Sequence, residues 1–332
     1  MVSTRKKTNK KRATRKYRGG MGIEQFSAIN RLTGSLTKES IESALGLCTT
    51  YVLNGNYGTI LKACFKTKND CRPPCFAIKY VPEMPESNSL ALKFQYDVLA
   101  HESHMMYLIT KSLEHSSSEL PNHIEKYIGS IVPNTTTPWL FTEYITGVTL
   151  ASSGISKNIT ANLVSLYLET LLILNAISEI LPGFVHGDLN PGNIFLVRRS
   201  TKHPSCRYDI VTSYNNDGNP TIEEYTFSEP FMIKLIDFGF AECDTYKWQS
   251  HPASSSSIAG RWQLDAYMAL RTFYSVALEQ KDKFVNICND FFGEELTRVL
   301  PLHKEEFDIY ENYHLFNKSE KTELYAIVKT YI

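Results

Sequence analysis

The stretch that most limits this chain is Phe184-Val185-His186-Gly187-Asp188-Leu189-Asn190-Pro191-Gly192-Asn193-Ile194-Phe195-Leu196, a polar cluster held between two apolar runs. The apolar runs must be buried, so the cluster is carried to the edge of a core. Pro191 and Gly192 shape the turn that joins Asp188 to Asn193. A second stretch, Ile233-Lys234-Leu235-Ile236-Asp237-Phe238-Gly239, repeats the design as an apolar strand ending on an acid. A fold that buries both runs together brings two carboxylates and an amide oxygen to one place. Such a set can accept a hydroxyl proton and hold a hard cation such as Mg²⁺.

In these residues the chain resembles the protein-kinase superfamily. Asp188 matches the catalytic-loop base, Asn193 the metal-binding Asn, and Asp237-Phe238-Gly239 the Asp-Phe-Gly metal motif. The resemblance implies a two-lobed α+β protein-kinase-like fold: a small antiparallel β lobe with one helix, then a mostly helical large lobe. It also implies ATP and Mg²⁺ as cofactors, with Asn193 and Asp237 on the metal.

Other stretches fall in the order that this resemblance requires. Residues 49–66 read as strand, turn, strand, with Gly55 and Gly58 flanking Tyr57, where the family covers the ATP phosphates. Leu53 stands where the first of three family glycines would be, so a stiffer loop is expected. Phe76-Ala77-Ile78-Lys79-Tyr80-Val81 places an ammonium in an apolar strand, which is costly unless paired. It resembles the Val-Ala-Ile-Lys strand, so Lys79 is expected on the α- and β-phosphates, with Ile60 and Ala77 beside the nucleotide. Leu92, Tyr96, Leu99, Met106, Ile109 and Leu113 recur at helical spacing, and Glu102 in their midst is the preferred partner of Lys79. Glu86 is the alternative, though its Pro-rich surroundings argue against a helix.

A short strand is expected over 123–132 and another over 139–147. The second resembles the hinge between kinase lobes, where the Glu143 carbonyl and the Ile145 amide would read adenine and Thr142 would stand behind it. Leu163 to Leu181 reads as a buried helix stopped by Pro182-Gly183, and its Glu169, Asn175 and Glu179 argue against a membrane span. His186 reads as an imidazole packed in the core. Trp262 onward begins an apolar helix, where Asp265 resembles the acid that grips the catalytic loop; an acid at a helix N-terminus is the plainer alternative.

The departures bear on the substrate. His186-Gly187-Asp188 lacks the Arg that grips an activation-loop phosphate, so activity is not expected to need that phosphorylation. Residues 198–229 are an insertion, read as an extended hairpin, and no Ala-Pro-Glu follows Gly239. Asn190 stands where Ser/Thr protein kinases carry a Lys. The chain is similar to atypical Ser/Thr protein kinases of large DNA viruses, which implies a protein substrate. A small-molecule kinase of the aminoglycoside or choline type is the alternative, and a catalytically inactive pseudokinase a further one.

Charge is unevenly placed. Residues 1–18 hold nine of the 35 Lys and Arg and no acid, leaving 26 basic against 35 acidic residues beyond them. Residues 1–20 are therefore expected to be a disordered basic tail, suited to a polyanion: nucleic acid, an anionic membrane or an acidic protein. The resemblance then divides the chain into an extension over 21–46, a small lobe over 47–145 and a large lobe over 146–332. Of seven cysteines, Cys71 and Cys75 form the one close pair. A zinc site would want a second pair, so these two read as cysteines in or beside a loop. The irregular spacing suits reduced thiols inside a cell: host cytoplasm, virion or nucleus. The basic start is not followed by an apolar run, so no secretory leader is expected.

Overall fold

The computed structural model describes residues 37–55, 58–66, 70–82, 89–114, 120–131, 138–152, 162–199, 205–214, 219–247, 258–302, 328 and 330–331. The basic tail, Tyr57, Glu86 and the serine run 254–257 lie outside them. The chain is mixed α+β, with antiparallel strand pairing throughout its sheets.

A five-stranded sheet in the order β1-β2-β3-β5-β4 is built from β1 (Leu47–Gly55), β2 (Gly58–Lys66), β3 (Cys71–Tyr80), β4 (Tyr127–Ile131) and β5 (Trp139–Glu143). Alternation along β2 and β3 sends Leu61, Ala63, Phe76 and Ile78 to one face, where they pack with Trp139 and Phe141. Helix α1 (Lys38–Leu45) closes that core with Ile41 and Leu45. Its start is set by Thr37 and Ser40, each side chain accepting the other's backbone N–H, and its end by Gly46 in the left-handed region. The opposite face carries Ile60, Ala77 and Lys79, because Ile60 lies across from Lys79 and Lys62 across from Ala77.

Helix α2 (Ser89–Leu113) crosses to the larger core, whose centre is α3 (Leu163–Ile180). Asn162 caps α3 by accepting from Val164 and Ser165 N–H. By length and composition α3 could cross a membrane. Here it is buried, with Tyr167 edge-on to Phe273 of α4 (Ile258–Val276) and to Phe284 of α5 (Lys281–Val299). Helix α4 starts at Ile258 and not at Trp262, so Asp265 lies two turns inside it and is no helix N-terminal acid.

A three-stranded sheet in the order β10-β7-β6 joins β6 (Val148–Thr149), β7 (Ile194–Arg198) and β10 (Phe231–Leu235). Ile194 pairs with Leu235. The residue before β7, Asn193, and the residues after β10, Ile236 and Asp237, therefore emerge side by side. The segment between these strands folds as a hairpin of β8 (Cys206–Tyr214) and β9 (Pro220–Phe227). The turn signal at 215–218 lies outside the described residues. Cys206, Tyr208 and Phe227 root the hairpin in the larger core.

The cysteine reading needs correction. Cys71 opens β3 beside the connection from β2, Cys75 lies inside the strand, and both are paired: Cys71 with Cys48 and Cys75 with Cys64. Their partners lie 23 and 11 residues away, and only strand register brings them together. Reduced thiols remain at the buried Cys206, Cys243 and Cys288.

Tyr208 is buried, and Ile222 on the same hairpin is 56% exposed. Tyr208→Ala should lower the unfolding free energy by about 3–5 kcal/mol, and Ile222→Ala by less than about 0.5 kcal/mol. Urea denaturation checks this; equal small losses would mean that the hairpin is not rooted in the core.

Candidate active site

Lys79 sits on β3 with its ammonium turned from the Trp139 core. Its Nζ donates to Glu102 Oε2 at 2.6 Å and to Asp237 Oδ1 at 3.0 Å. Glu102 comes from the middle of α2 and Asp237 from the end of β10, so one cation ties together three elements. Burial works to lower the Lys79 pKa, but the two carboxylates outweigh it and hold the group above its ordinary value. Burial pushes Glu102 up to about 8 against the pull of Lys79. Burial also works to raise Asp237, yet there Lys79 wins and the carboxyl stays below the usual range. Of the two acids Asp237 is therefore the firmer anion, and it is also the more exposed, at 29% against 2% for Glu102.

Asp237 has φ +62, which few non-glycine residues adopt and Asp tolerates better than most. That turn swings its carboxylate back under Lys79 while Phe238 is driven into the core against Phe184 and His186.

Asn193 Nδ2 donates to the Asp188 carbonyl at 2.8 Å and to Asp188 Oδ2 at 3.0 Å. The amide thus fixes the carboxylate and turns its own Oδ1 the other way. Ile236 N–H donates to the Asn193 carbonyl at 3.1 Å, coupling this turn to the strand that ends on Asp237. His186 donates from Nε2 to the Ile236 carbonyl at 3.0 Å; it is fully buried, and burial lowers its pKa, so the neutral ring is a brace. Asp265 accepts N–H from His186 at 2.5 Å and from Gly187 at 3.0 Å. Gly187 has φ +76, and a Cβ there would meet the Phe240 carbonyl oxygen at 2.5 Å. The backbone admits only glycine at this position, which is a steric reason for the absence of Arg.

Ile60 and Ala77 lie on the same sheet face as Lys79, and Gly58 closes the β1–β2 turn opposite Gly55. Thr142 Oγ1 donates to Glu125 Oε1 at 2.6 Å. The Glu143 carboxylate accepts from Lys126 N–H at 2.8 Å and from Lys234 Nζ at 2.6 Å. Ile145 follows β5 in the connection toward β6 and is half-buried.

Glu125 was missed by the sequence reading. It lies in the irregular segment before β4, and burial pushes it up to about 7, with Thr142 and Lys79 opposing. A short segment without periodicity gave no signal for which face Glu125 would take.

A second polar cluster lies apart from this site. Among the described residues, His123, Glu169 and Cys206 bring metal-ligating atoms within 4.8 Å of one another. A cation is already present there, because Arg199 Nη2 donates to Glu169 Oε1 at 2.5 Å. His123 Nδ1 donates to the Ile233 carbonyl, and its Nε2 accepts from the Tyr208 hydroxyl at 3.0 Å. The cluster reads as a buried hydrogen-bonded anchor for the β8–β9 hairpin.

Comparison of the sequence with models of known protein families and with curated proteins finds no match.

Burial pushes His123 down to about 4, so the folded chain holds it neutral. Below about pH 6.5 the unfolded chain takes up a proton there that the folded chain refuses. The stability gained from a neutral His123 is present above about pH 6.5 and is lost as the pH falls toward 4. It amounts to on the order of 3 kcal/mol. Glu169, pushed up to about 7 by burial against Arg199, acts with the opposite sign, so the readout is a difference between proteins. His123→Phe should lose less stability than the parent between pH 6.5 and 4 in urea unfolding; parallel curves would show the ring protonated in the fold.

Proposed function

We propose that this chain is an ATP-dependent phosphotransferase of the protein-kinase-like kind, moving the γ-phosphoryl group of ATP to a protein Ser or Thr hydroxyl. The observation that carries the reading is the Lys79 ammonium gripped by Glu102 at 2.6 Å and Asp237 at 3.0 Å, beside the Asp188–Asn193 pair. A five-stranded antiparallel sheet with α2 against a mostly helical body supports the architecture that this reading requires.

The residues fit ATP with Mg²⁺. Asp237 and the free Oδ1 of Asn193 are hard oxygen donors, the ligand type that Mg²⁺ takes. The metal would neutralise charge on the phosphate oxygens. Lys79 binds the α- and β-phosphates, and Glu102 keeps its ammonium aimed at them. Ile60 and Ala77 cover the base from the sheet above, and the backbone of Glu143 and Ile145 reads its edge. Asp188, fixed by Asn193, accepts the proton of the attacking hydroxyl. The transition state for phosphoryl transfer is loose, so positioning and charge neutralisation are what the protein contributes.

One observation favours a second reading, a small-molecule hydroxyl acceptor. Asn190 Oδ1 accepts from Gly192 N–H at 2.8 Å, so the position where Ser/Thr protein kinases carry a Lys shapes the turn instead. Labelled ATP offered with basic proteins and with small alcohols side by side decides between the two. Label on protein alone supports the first reading, and label on small alcohols alone the second.

The two acids should separate in mutants. Asp188→Asn should keep Mg·ATP affinity near the parental value while transfer falls by about 10²-fold or more. Asp237→Asn should weaken both Mg·ATP binding and transfer. Parental transfer by Asp188→Asn would remove that residue from the chemistry.

A further inference from the structure

Thr142 and Glu125 meet on the sheet face of Lys79. In antiparallel pairing, residues directly opposite share a face. Thr142 of β5 lies opposite Ala77 of β3, and Leu140 opposite Lys79, so the Thr142 side chain takes the face of Ala77 and Lys79. Glu125 reaches it from the segment just before β4. Its N–H donates to the Leu235 carbonyl at 2.9 Å, and Ile124 forms a bridge with Leu235. On its other side Lys126 N–H donates to the Glu143 carboxylate at 2.8 Å, and the Lys126 carbonyl accepts from Glu143 N–H at 3.0 Å. Ile124, Glu125 and Lys126 are thus stitched between the end of β10 and the end of β5. The Glu125 carboxylate feels both Lys79 and Asp237, and Thr142 is buried beside it.

The hydrogen bond between them has a fixed direction. A carboxylate only accepts, and a hydroxyl has one proton and two lone pairs. Thr142 Oγ1 donates its proton to Glu125 Oε1 at 2.6 Å, the length of a hydroxyl bond to an ionised carboxylate. The hydroxyl then has lone pairs alone to offer anything else on that face. An amino group placed there finds an acceptor. A carbonyl oxygen placed there meets lone pair against lone pair. A threonine free to rotate its proton would serve either group.

We infer that Glu125 holds Thr142 as an acceptor-only hydroxyl, and that the pair selects a purine with an amino group at position 6 over one with a carbonyl there. The inference rests on the phosphotransfer reading, in which the backbone of Glu143 and Ile145 reads the edge of the base. Thr142 directly precedes Glu143, so its hydroxyl stands beside the group that the Glu143 carbonyl accepts from. Thr142 touches the base; Glu125 acts through Thr142 and is a positioning residue. Two acceptors set face to face away from water cost more than a contact that is merely missing. The Glu143 carbonyl favours the same base whatever its side chain. The share of selectivity that substitution can remove therefore belongs to Thr142 and Glu125.

Calorimetric titration of the full chain with ATP and with ITP, each with Mg²⁺, tests this. Inosine differs from adenosine at that edge alone, where a 6-oxo group and a protonated N1 replace the amine and the bare N1. The triphosphates are identical, so Lys79, Asp237 and the metal cancel in the ratio of affinities. A buffer at about pH 8 lies above the value of about 7 to which burial pushes Glu125 and keeps the carboxylate ionised. The parent should bind ATP about 10²-fold or more tighter than ITP. Glu125→Met and Thr142→Val should each lower that ratio by about fivefold or more. Adding Glu125→Met to Thr142→Val should lower it no further, because the two act as one unit. A merely structural Glu125 would weaken both nucleotides alike and leave the ratio where it was. Thr142→Val keeps the side-chain shape and carries the test if Glu125→Met does not fold. A parental ratio near one, or a ratio that Thr142→Val leaves unchanged, would overturn the inference and leave the phosphotransfer reading standing. So would a Glu125→Met effect equally large with and without the Thr142 hydroxyl. A parent that binds neither nucleotide would overturn both.

Discussion

The ammonium of Lys79 sits in a sheet that would exclude a charge. Glu102 at 2.6 Å and Asp237 at 3.0 Å make its place tolerable. Removing one partner from a buried ion pair costs about 3–5 kcal/mol, because the other charge is left uncompensated. β3, α2 and the end of β10 are therefore held in one relative position by electrostatics as well as by packing. Glu102 is almost fully buried and braces; Asp237 is the less buried of the two acids and is held ionised by Lys79.

The Asp188–Asn193 turn depends on a different device. Pairing of Ile194 with Leu235 makes the segment before β7 and the segment after β10 neighbours. Asn193 ties Asp188 into that junction, and Asp265 holds the backbone behind it through His186 and Gly187. The β8–β9 hairpin leaves from the opposite ends of β7 and β10, so its length does not disturb the junction. It is fastened by its own buried network of His123, Glu169, Arg199 and Tyr208.

Features coded within a few turns of chain were legible in the sequence. The spacing of Leu92, Tyr96 and Leu99 marked a helix, and an acid in the middle of it was the natural neighbour for a Lys in an apolar strand. The apolar run that follows Asn193 marked β7, and the apolar run that ends on Asp237 marked β10. What could not be read depended on long-range register. Cys48 and Cys64 carry no local sign of meeting Cys71 and Cys75, since the pairing follows from how three strands align. Glu125 lies in an irregular segment, where nothing local fixes its direction. The role of Gly187 was hidden for a similar reason: its neighbour, the Phe240 carbonyl, lies 53 positions on in sequence. The alternative for Asp265, an acid at a helix start, arose because Trp262 and Leu264 begin the apolar pattern, whereas the helix begins one turn earlier at Ile258.

Calorimetric titration of the intact chain with ATP and with adenosine, each with and without Mg²⁺, tests the account at its centre. If Lys79, Glu102 and Asp237 form a seat for phosphates, ATP should bind one per chain, Mg²⁺ should strengthen that binding, and adenosine should bind far more weakly. Equal affinity for ATP and adenosine, or ATP binding indifferent to Mg²⁺, would contradict it.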